Sequence, residues 1–250
     1  MSQEINNGMI YCIMITSDQR QRFIPVGIRN FNMQSYKKKI LIILNNSDTP
    51  GTLMTDHTKN NIFEFYVPKK SNGFTLGELR NIALEFVPKG ALWTTWDDDD
   101  WRSTSYLESL YNYMKQSKVD IVFIKNRLEY NMNNGFMYRS EFKKAKMPFF
   151  LAKRVKGFKY LNKDSLEDIH VADDYNKLGY KIAMMNNDAK MYLRNIHSSN
   201  SSVYVDQEKR QILNYANTSH YHEHRVNDKE KTYIEYIISE YYKDKNVSKI

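Results

Sequence analysis

The stretch Ala91–Trp101, ALWTTWDDDDW, decides the architecture of this chain. Ala91 to Trp96 reads as a buried strand, and Asp97-Asp98-Asp99-Asp100 begins at its carboxyl end, where open α/β sheets hold their ligands. Four successive carboxylates flanked by Trp96 and Trp101 repel one another and need a cation or hydrogen-bond donors to neutralise them. In an extended or turning segment, carboxylates two positions apart can point to one side. Such hard oxygen donors suit Mn²⁺ or Mg²⁺, with phosphate oxygens completing the shell. The rival reading is a solvated acidic turn, the ordinary fate of a charge run, and the position at a strand end favours a site.

Toward the amino terminus, strand and helix patterns alternate. Ile10 to Thr16 is a strand, and from Phe23 to Met33 the residues Ile24, Gly27, Ile28 and Phe31 share a helical face, with Pro25 in the first turn. Ile40 to Leu44 is a wholly apolar strand that ends in the turn Asn45-Asn46-Ser47-Asp48. Ile62 to Val67 is a third strand, and Leu76 to Val87 a helix with Leu76, Leu79, Ala83 and Phe86 on one stripe.

Beyond the acidic run, Ser105 and Glu108 have capping-box spacing ahead of Leu107, Leu110, Tyr111 and Met114. Asp120 to Lys125 is a strand, Asn133-Asn134-Gly135 a hairpin turn, and Glu167 to Leu178 a helix closed by Gly179. Strands near 182–185 and 191–196 complete the sheet region. The last fifty or so residues are polar and helical in pattern, with a stripe of Tyr233, Tyr236, Ile237 and Tyr241. The expected class is α/β with a mostly parallel sheet.

The 250 residues, 41% apolar, suffice for one substantial core. Cys12 is the single cysteine and lies in an apolar run, so it reads as core filling and excludes an intrachain disulfide. Neither a signal pattern nor a run of ~20 apolar residues is present, and a cytoplasmic protein, with peripheral membrane association left open, is expected. The net charge of +8 suits a polyanionic partner or a phosphate-bearing substrate equally.

Taken in order, the segments resemble the inverting family-2 glycosyltransferases of the glycosyltransferase-A (GT-A) fold, from about Ile10 to about Ser202. IMITSDQRQRFIPVGIRNFNMQSY resembles the first strand and helix, ending in Gln34 and Tyr36, and KKILIILNNSD the second strand with its nucleotide-contacting turn. LGELRNIAL is similar to the arginine-asparagine helix, TTWDDDDW to the DXD segment, and SLEDIHVADDY to the acidic pair that supplies the base. The resemblance implies a Rossmann-like nucleotide-diphospho-sugar transferase fold: a mixed, mostly parallel central sheet flanked by helices. Residues 1–202 would form one catalytic domain, with a nucleotide-binding half to about 100 and an acceptor half beyond it. Residues 203–250 would be a helical extension packed on the domain or on a second subunit as a homodimer.

The resemblance also implies roles. Asp97 and Asp99 would hold the metal with His197, which follows the last strand, while Asp98 turns toward the ribose and Asp100 faces the acceptor or supports the turn. Asp168 would be the base that takes the acceptor proton; without the resemblance, Glu167 and Asp168 read as helix-start acids. Arg80, Thr16 and Arg20 stand where they could contact the nucleotide or its diphosphate, with a surface salt bridge as the rival for either arginine. The second-strand turn carries Asn45 and Asn46 in place of the usual aspartate. Asn46 can hydrogen-bond a base edge, Asp48 is the nearest acid, and turn-making is the competing reading.

From Phe142 to Tyr160 the chain has seven basic residues, no acid, and Phe149, Phe150 and Phe158 interleaved. This patch suits nucleic acid, a mobile loop over the donor diphosphate, or plain solvation. His220, His222 and His224 alternate as on one strand face, but an exposed loop is the expectation. The expected function is a metal-dependent, inverting glycosyltransferase using a nucleotide-diphosphate sugar, a UDP-sugar ahead of others, with a glycan, lipid or protein acceptor. The alternatives are a metal-dependent nuclease or nucleotidyltransferase and a non-catalytic nucleotide-sugar-binding protein.

Overall fold

The computed structural model describes residues 8–48, 61–131, 137–141, 150–186, 191–196, 224–225 and 232. Two sheets organise them. The larger has seven strands: β1 (Ile10–Thr16), β2 (Lys39–Asn45), β3 (Ile62–Tyr66), β4 (Leu92–Thr95), β6 (Ile121–Ile124), β9 (Phe150–Lys153) and β10 (Ile182–Met185). Their order is β10-β6-β9-β4-β1-β2-β3. Strands β1, β2, β3 and β4 pair in parallel, as do β6 and β10, while β9 runs antiparallel between β4 and β6. The sheet is thus mixed and mostly parallel, as expected.

Helices α1 (Ile24–Asn32) and α3 (Tyr106–Ser117) pack on one face, α2 (Leu76–Leu84) and α4 (Val171–Lys177) on the other. The period of two along β1 makes this possible: Ile10, Cys12 and Met14 join the first core and Ile13 the second. Cys12 is fully enclosed, and burial pushes its thiol up to about 12, so it is the inert core residue its apolar setting implies.

The smaller sheet comprises β5 (Trp101–Arg102), β7 (Asn126–Asn131), β8 (Met137–Glu141), β11 (Tyr192–Ile196) and β12 (His224–Arg225), in the order β12-β8-β7-β11-β5. Residues 191–196 therefore belong to a second sheet, set by antiparallel pairing with Trp101–Arg102, and not to the main one. Antiparallel β7 and β8 flank the expected 133–135 turn, which itself lies outside the described residues. Of the carboxyl-terminal segment, β12 pairs with β8 and Thr232 is helical; the Tyr233–Tyr241 stripe, His220 and His222 lie outside the described residues.

Three local expectations are revised. The basic run contains β9, a buried strand of the main sheet, because Phe150 and Ala152 meet one core and Leu151 the other. Ser105 makes no side-chain cap; Glu108 instead accepts from the Ser35 hydroxyl at 2.6 Å. A complete capping box forms at α2, where the Thr75 hydroxyl accepts from the Glu78 amide and Glu78 accepts from the Thr75 amide. The fourth helix starts at Val171, four residues later than its acids suggested, and Gly179 closes it with φ of 79°.

Candidate active site

Connections leave β1 toward β2 on one side and reach β4 on the other, so the carboxyl ends of β1 and β4 form the switch point where such sheets open a crevice. The acidic turn sits there, pressed against α1. A Cβ on Gly27 would lie 3.1 Å from the Asp98 Cα and 2.5 Å from the Met14 Cε, so glycine allows the approach. The indole of Trp96 donates to the Gly27 carbonyl at 3.1 Å and pins the turn from below.

Each aspartate has a different environment. Asp98 is enclosed and accepts from Arg20, whose Nε lies 3.1 and 3.3 Å from its two oxygens and whose Nη2 also bonds it. The same Nη2 is 2.9 Å from Asp99 Oδ2. Asp100 accepts from the Tyr192 hydroxyl and, at 3.0 Å, from the Asn195 amide; Asn195 also donates to the Asp99 carbonyl. Burial pushes Asp98 up to about 7, against the pull of Arg20, and Asp100 up to about 8, helped by Asp99 and Asp97. Asp97 alone keeps an open side chain, 31% exposed.

Arg102 underlies the turn. Its guanidinium lies 4.2 Å from the Trp96 ring centre, with Tyr192 and Tyr106 beyond, and donates to the Asp97 carbonyl at 3.2 Å. Asn30 exchanges hydrogen bonds with the Arg102 backbone, and Gln34 binds Ser103 and Leu107, so the first helix fixes the strand after the turn. Arg102, Tyr192 and Asn195 were not among the expected site residues. A lone arginine two positions past Asp100 was their one legible trace.

Across the crevice, α2 docks on the loop 160–168. Asn81 and the Tyr160 backbone exchange hydrogen bonds at 2.8 and 2.9 Å, and the Gly77 amide donates to the Lys163 carbonyl. This docking brings Arg80 to the acidic pair: Nη1 is 2.9 Å from Glu167 and 3.9 Å from Asp168, and Nη2 is 3.6 Å from Asp97. The guanidinium thereby joins the acidic turn to the Glu167-Asp168 pair. Burial raises the pKa of both acids, Arg80 opposing, with Asp97 adding repulsion. Asp168 does not begin a helix; it lies three residues before Val171, and its carbonyl accepts from the Val171 amide. Asp173 is exposed and Asp174 partly so.

The second-strand turn is bound into the body. Asn45 accepts from Ser47 and Gln21 and donates to Glu64 at 2.6 Å; the Asn46 amide nitrogen donates to the Val67 carbonyl at 2.8 Å. The buried Thr16 hydroxyl has no hydrogen-bond partner among the described residues. Asp48 is exposed and shares Lys69 with Asp18. Thus Thr16, Arg20, Asn46, Arg80 and Asp97 to Asp99 line the carboxyl ends of β1, β2 and β4, Asp168 joins them through Arg80, and His197 lies outside the described residues. Phe150 and Phe158 are core residues, not stacking platforms, and Phe149 lies outside the described residues.

Among the described residues no group of three or more His, Cys, Asp or Glu side chains forms a ready metal cage. The donor chemistry nevertheless fits a hard divalent cation: Asp97 and Asp99 offer carboxylate oxygens, and such ions use one or two carboxylates with substrate phosphates. Six carboxylates, Asp97 to Asp100 with Glu167 and Asp168, stand beside the three guanidinium groups of Arg20, Arg80 and Arg102; burial is the main cause that raises the enclosed acids, and repulsion among the carboxylates adds to it.

A family model described as Glycosyl transferase family 2 matches residues 12–199. No curated protein matches the chain. Among solved structures, residues 1–349 of TarS from S. aureus superpose with a TM-score of 0.58 at 15% identity, over 75% of this chain and 60% of that one. The same protein in complex with UDP-GlcNAc gives 0.55 at 14%, over 79% and 62%. A mannosyltransferase from Pyrobaculum calidifontis in complex with GDP-Man and Mn²⁺ gives 0.52 at 13%, over 77% and 58%. The likeness to these structures is one of fold, and the chain spans about three fifths of their lengths.

Proposed function

The chain belongs to glycosyl transferase family 2, and from that premise we propose that it transfers one sugar, with inversion, from a nucleotide-diphosphate sugar to an acceptor hydroxyl. The observation that carries the reading is the Arg80 guanidinium, within 3.6 Å of Asp97 and 3.9 Å of Asp168, which couples the donor-side carboxylates to a half-buried acid with a raised pKa. A carboxylate whose pKa is raised is a stronger base for this chemistry than an ordinary aspartate.

Asp168 takes the proton of the acceptor hydroxyl while that oxygen attacks the anomeric carbon. The bond from that carbon to the diphosphate oxygen breaks, and the nucleoside diphosphate leaves with the electron pair. Glu167 holds Arg80, and Arg80 positions Asp168. Thr16 and Asn46 lie on the nucleotide side, where the enclosed Thr16 hydroxyl has no hydrogen-bond partner among the described residues and Asn46 retains its side-chain oxygen as an acceptor. Asp97 and Asp99, with His197 as the further ligand, would hold Mn²⁺ or Mg²⁺, which would supply positive charge to the departing diphosphate.

A UDP-sugar is favoured for the donor, TarS being known with UDP and UDP-GlcNAc and the mannosyltransferase with GDP-Man. The acceptor is a glycan, lipid or protein hydroxyl. No helix among the described residues is long and apolar enough to cross a membrane; a cytoplasmic enzyme, dimeric through residues 203–250, completes the proposal. The nuclease reading loses two of the three aromatics on which its stacking depended, because Phe150 and Phe158 are core residues.

Purified protein with Mn²⁺ and a panel of UDP-, GDP-, TDP- and CMP-sugars tests the reading. Donor binding and slow hydrolysis, lost in Asp99→Ala, with inverted anomeric configuration by NMR, are expected. Failure to bind any donor in the panel would overturn it.

A further inference from the structure

The acidic turn meets the crevice already paired with a cation of the chain's own. Arg20 reaches it from the short 3₁₀ segment Asp18–Phe23 after β1, binds Asp98 through Nε, and sets Nη2 2.9 Å from Asp99 Oδ2. The Asp99 carboxylate is the same group that a divalent ion needs. An ion of that kind sits ~2.0–2.1 Å from a carboxylate oxygen, and a guanidinium held at hydrogen-bond distance from the same oxygen would face it at close range as a like charge. The two cations therefore compete at Asp99 Oδ2.

The burial of the three residues shows which of them can move. Asp98 is enclosed and Asp99 nearly so, whereas the Arg20 side chain retains 19% exposure toward solvent. A planar guanidinium bonds phosphate oxygens as well as it bonds carboxylates, so it can exchange one anionic partner for another without being left uncompensated. Asp98 accepts from Nε and keeps the arm at the crevice during such an exchange.

Building on the donor reading above, we propose that Arg20 is a displaceable internal cation of the acidic turn: it occupies Asp99 in the free protein and moves to the donor diphosphate when a divalent cation takes Asp99. The free protein then holds the cation weakly, and cation and diphosphate bind with positive coupling. Arg20 acts as a positioning residue that ties cation loading to donor arrival.

The test is Mn²⁺ titration of the full chain by electron paramagnetic resonance, without nucleotide, in the wild type, Arg20→Gln and Arg20→Gln/Asp98→Asn. The double variant removes the charge together with its enclosed partner, and it carries the test if unpaired Asp98 unfolds the single variant. Both are expected to bind Mn²⁺ about tenfold more tightly than the wild type, with the gain abolished by adding Asp99→Asn. Equal or weaker binding by the folded double variant overturns the proposal. Calorimetry of the same proteins with UDP- and GDP-sugars separates the two readings. Tighter Mn²⁺ binding with no donor bound by any of them upholds Arg20 as the internal cation at Asp99 and removes both the donor reading and the transfer to diphosphate; donor binding with unchanged Mn²⁺ affinity overturns the Arg20 proposal and leaves the donor reading standing.

Discussion

Arg80 and Glu167 form a buried ion pair at 2.9 Å, the pair that ties helix α2 to the loop carrying Asp168. Removing one partner of such a pair strands the other charge, at a cost of ~3–5 kcal/mol. Arg80→Ala should therefore lower stability by about that amount in denaturant titrations. It should also lower kcat about a hundredfold in the fraction that stays folded, because Asp168 loses its register with Asp97. Arg80→Lys should recover much of the stability and little of the rate, since an ammonium cannot bridge Asp97 and Glu167 at once.

Asp168→Asn and Glu167→Gln should separate chemistry from support. The first should cut kcat ~10²- to 10⁴-fold with donor affinity retained, the range for loss of a general base. The second should act mainly on unfolding midpoint. A base works ionised, and burial raises the Asp168 pKa. The rate should therefore rise with pH through an apparent pKa above the ordinary aspartate value and fall below it, and Asp168→Asn should erase that limb. A pH profile that Asp168→Asn leaves unchanged would exclude it as the base.

Stability of the metal-free protein should decline as pH rises. Asp98 and Asp100 titrate near 7 and 8 in the folded protein and near ~4 unfolded, so the folded state binds more protons between those limits. Their contribution is complete below pH ~4 and is lost as pH climbs through 7 to 8. Thermal scans from pH 6 to 9 should show a falling midpoint, and Asp100→Asn should flatten it while keeping the Tyr192 and Asn195 contacts.

Gly77 is where α2 meets the 160–168 loop, and a Cβ there would lie 1.7 Å from the Leu161 carbonyl oxygen. Gly77→Ala must move backbone, at a cost of ~1–3 kcal/mol or more, and with it Glu167 and Asp168. Denaturation and donor turnover should both suffer. At Gly73 no atom stands within 4 Å of the added methyl, so Gly73→Ala should cost only the strain of its φ of 69°, about 1 kcal/mol, with turnover unchanged.

The two apparent capping boxes make a paired test. Thr75→Ala should cost ~1 kcal/mol of stability, and Ser105→Ala close to nothing, because only the first closes on its glutamate.

The Ser105–Glu108 spacing matched a capping box as well as Thr75–Glu78 does; a partner 73 residues upstream, Ser35, decided otherwise. The same holds for the site. The run Asp97 to Asp100 was legible as a strand-end feature, yet its four carboxylates look equivalent until Arg20, Tyr192 and Asn195 arrive from distant segments and leave only Asp97 open. Strand β9 was hidden because its antiparallel place between β4 and β6 comes from pairing across the chain, while the stretch of sequence around it, Phe142 to Tyr160, is rich in lysine and arginine. Glu167 and Asp168 looked like the opening of a helix because acids favour that position, but their neighbours in space are Arg80 and Asp97.

By itself the sequence determined the α/β class, most strands of the main sheet and the location of the acidic turn, since hydrophobic period and strand-end position are local properties. Tertiary structure alone decided which arginine neutralises which carboxylate, where the antiparallel strand enters, and that Arg80 links Asp97 to Asp168. Those outcomes depend on burial and on charge separations of 2.9 to 3.9 Å between segments up to about ninety residues apart, and such separations have no local signature.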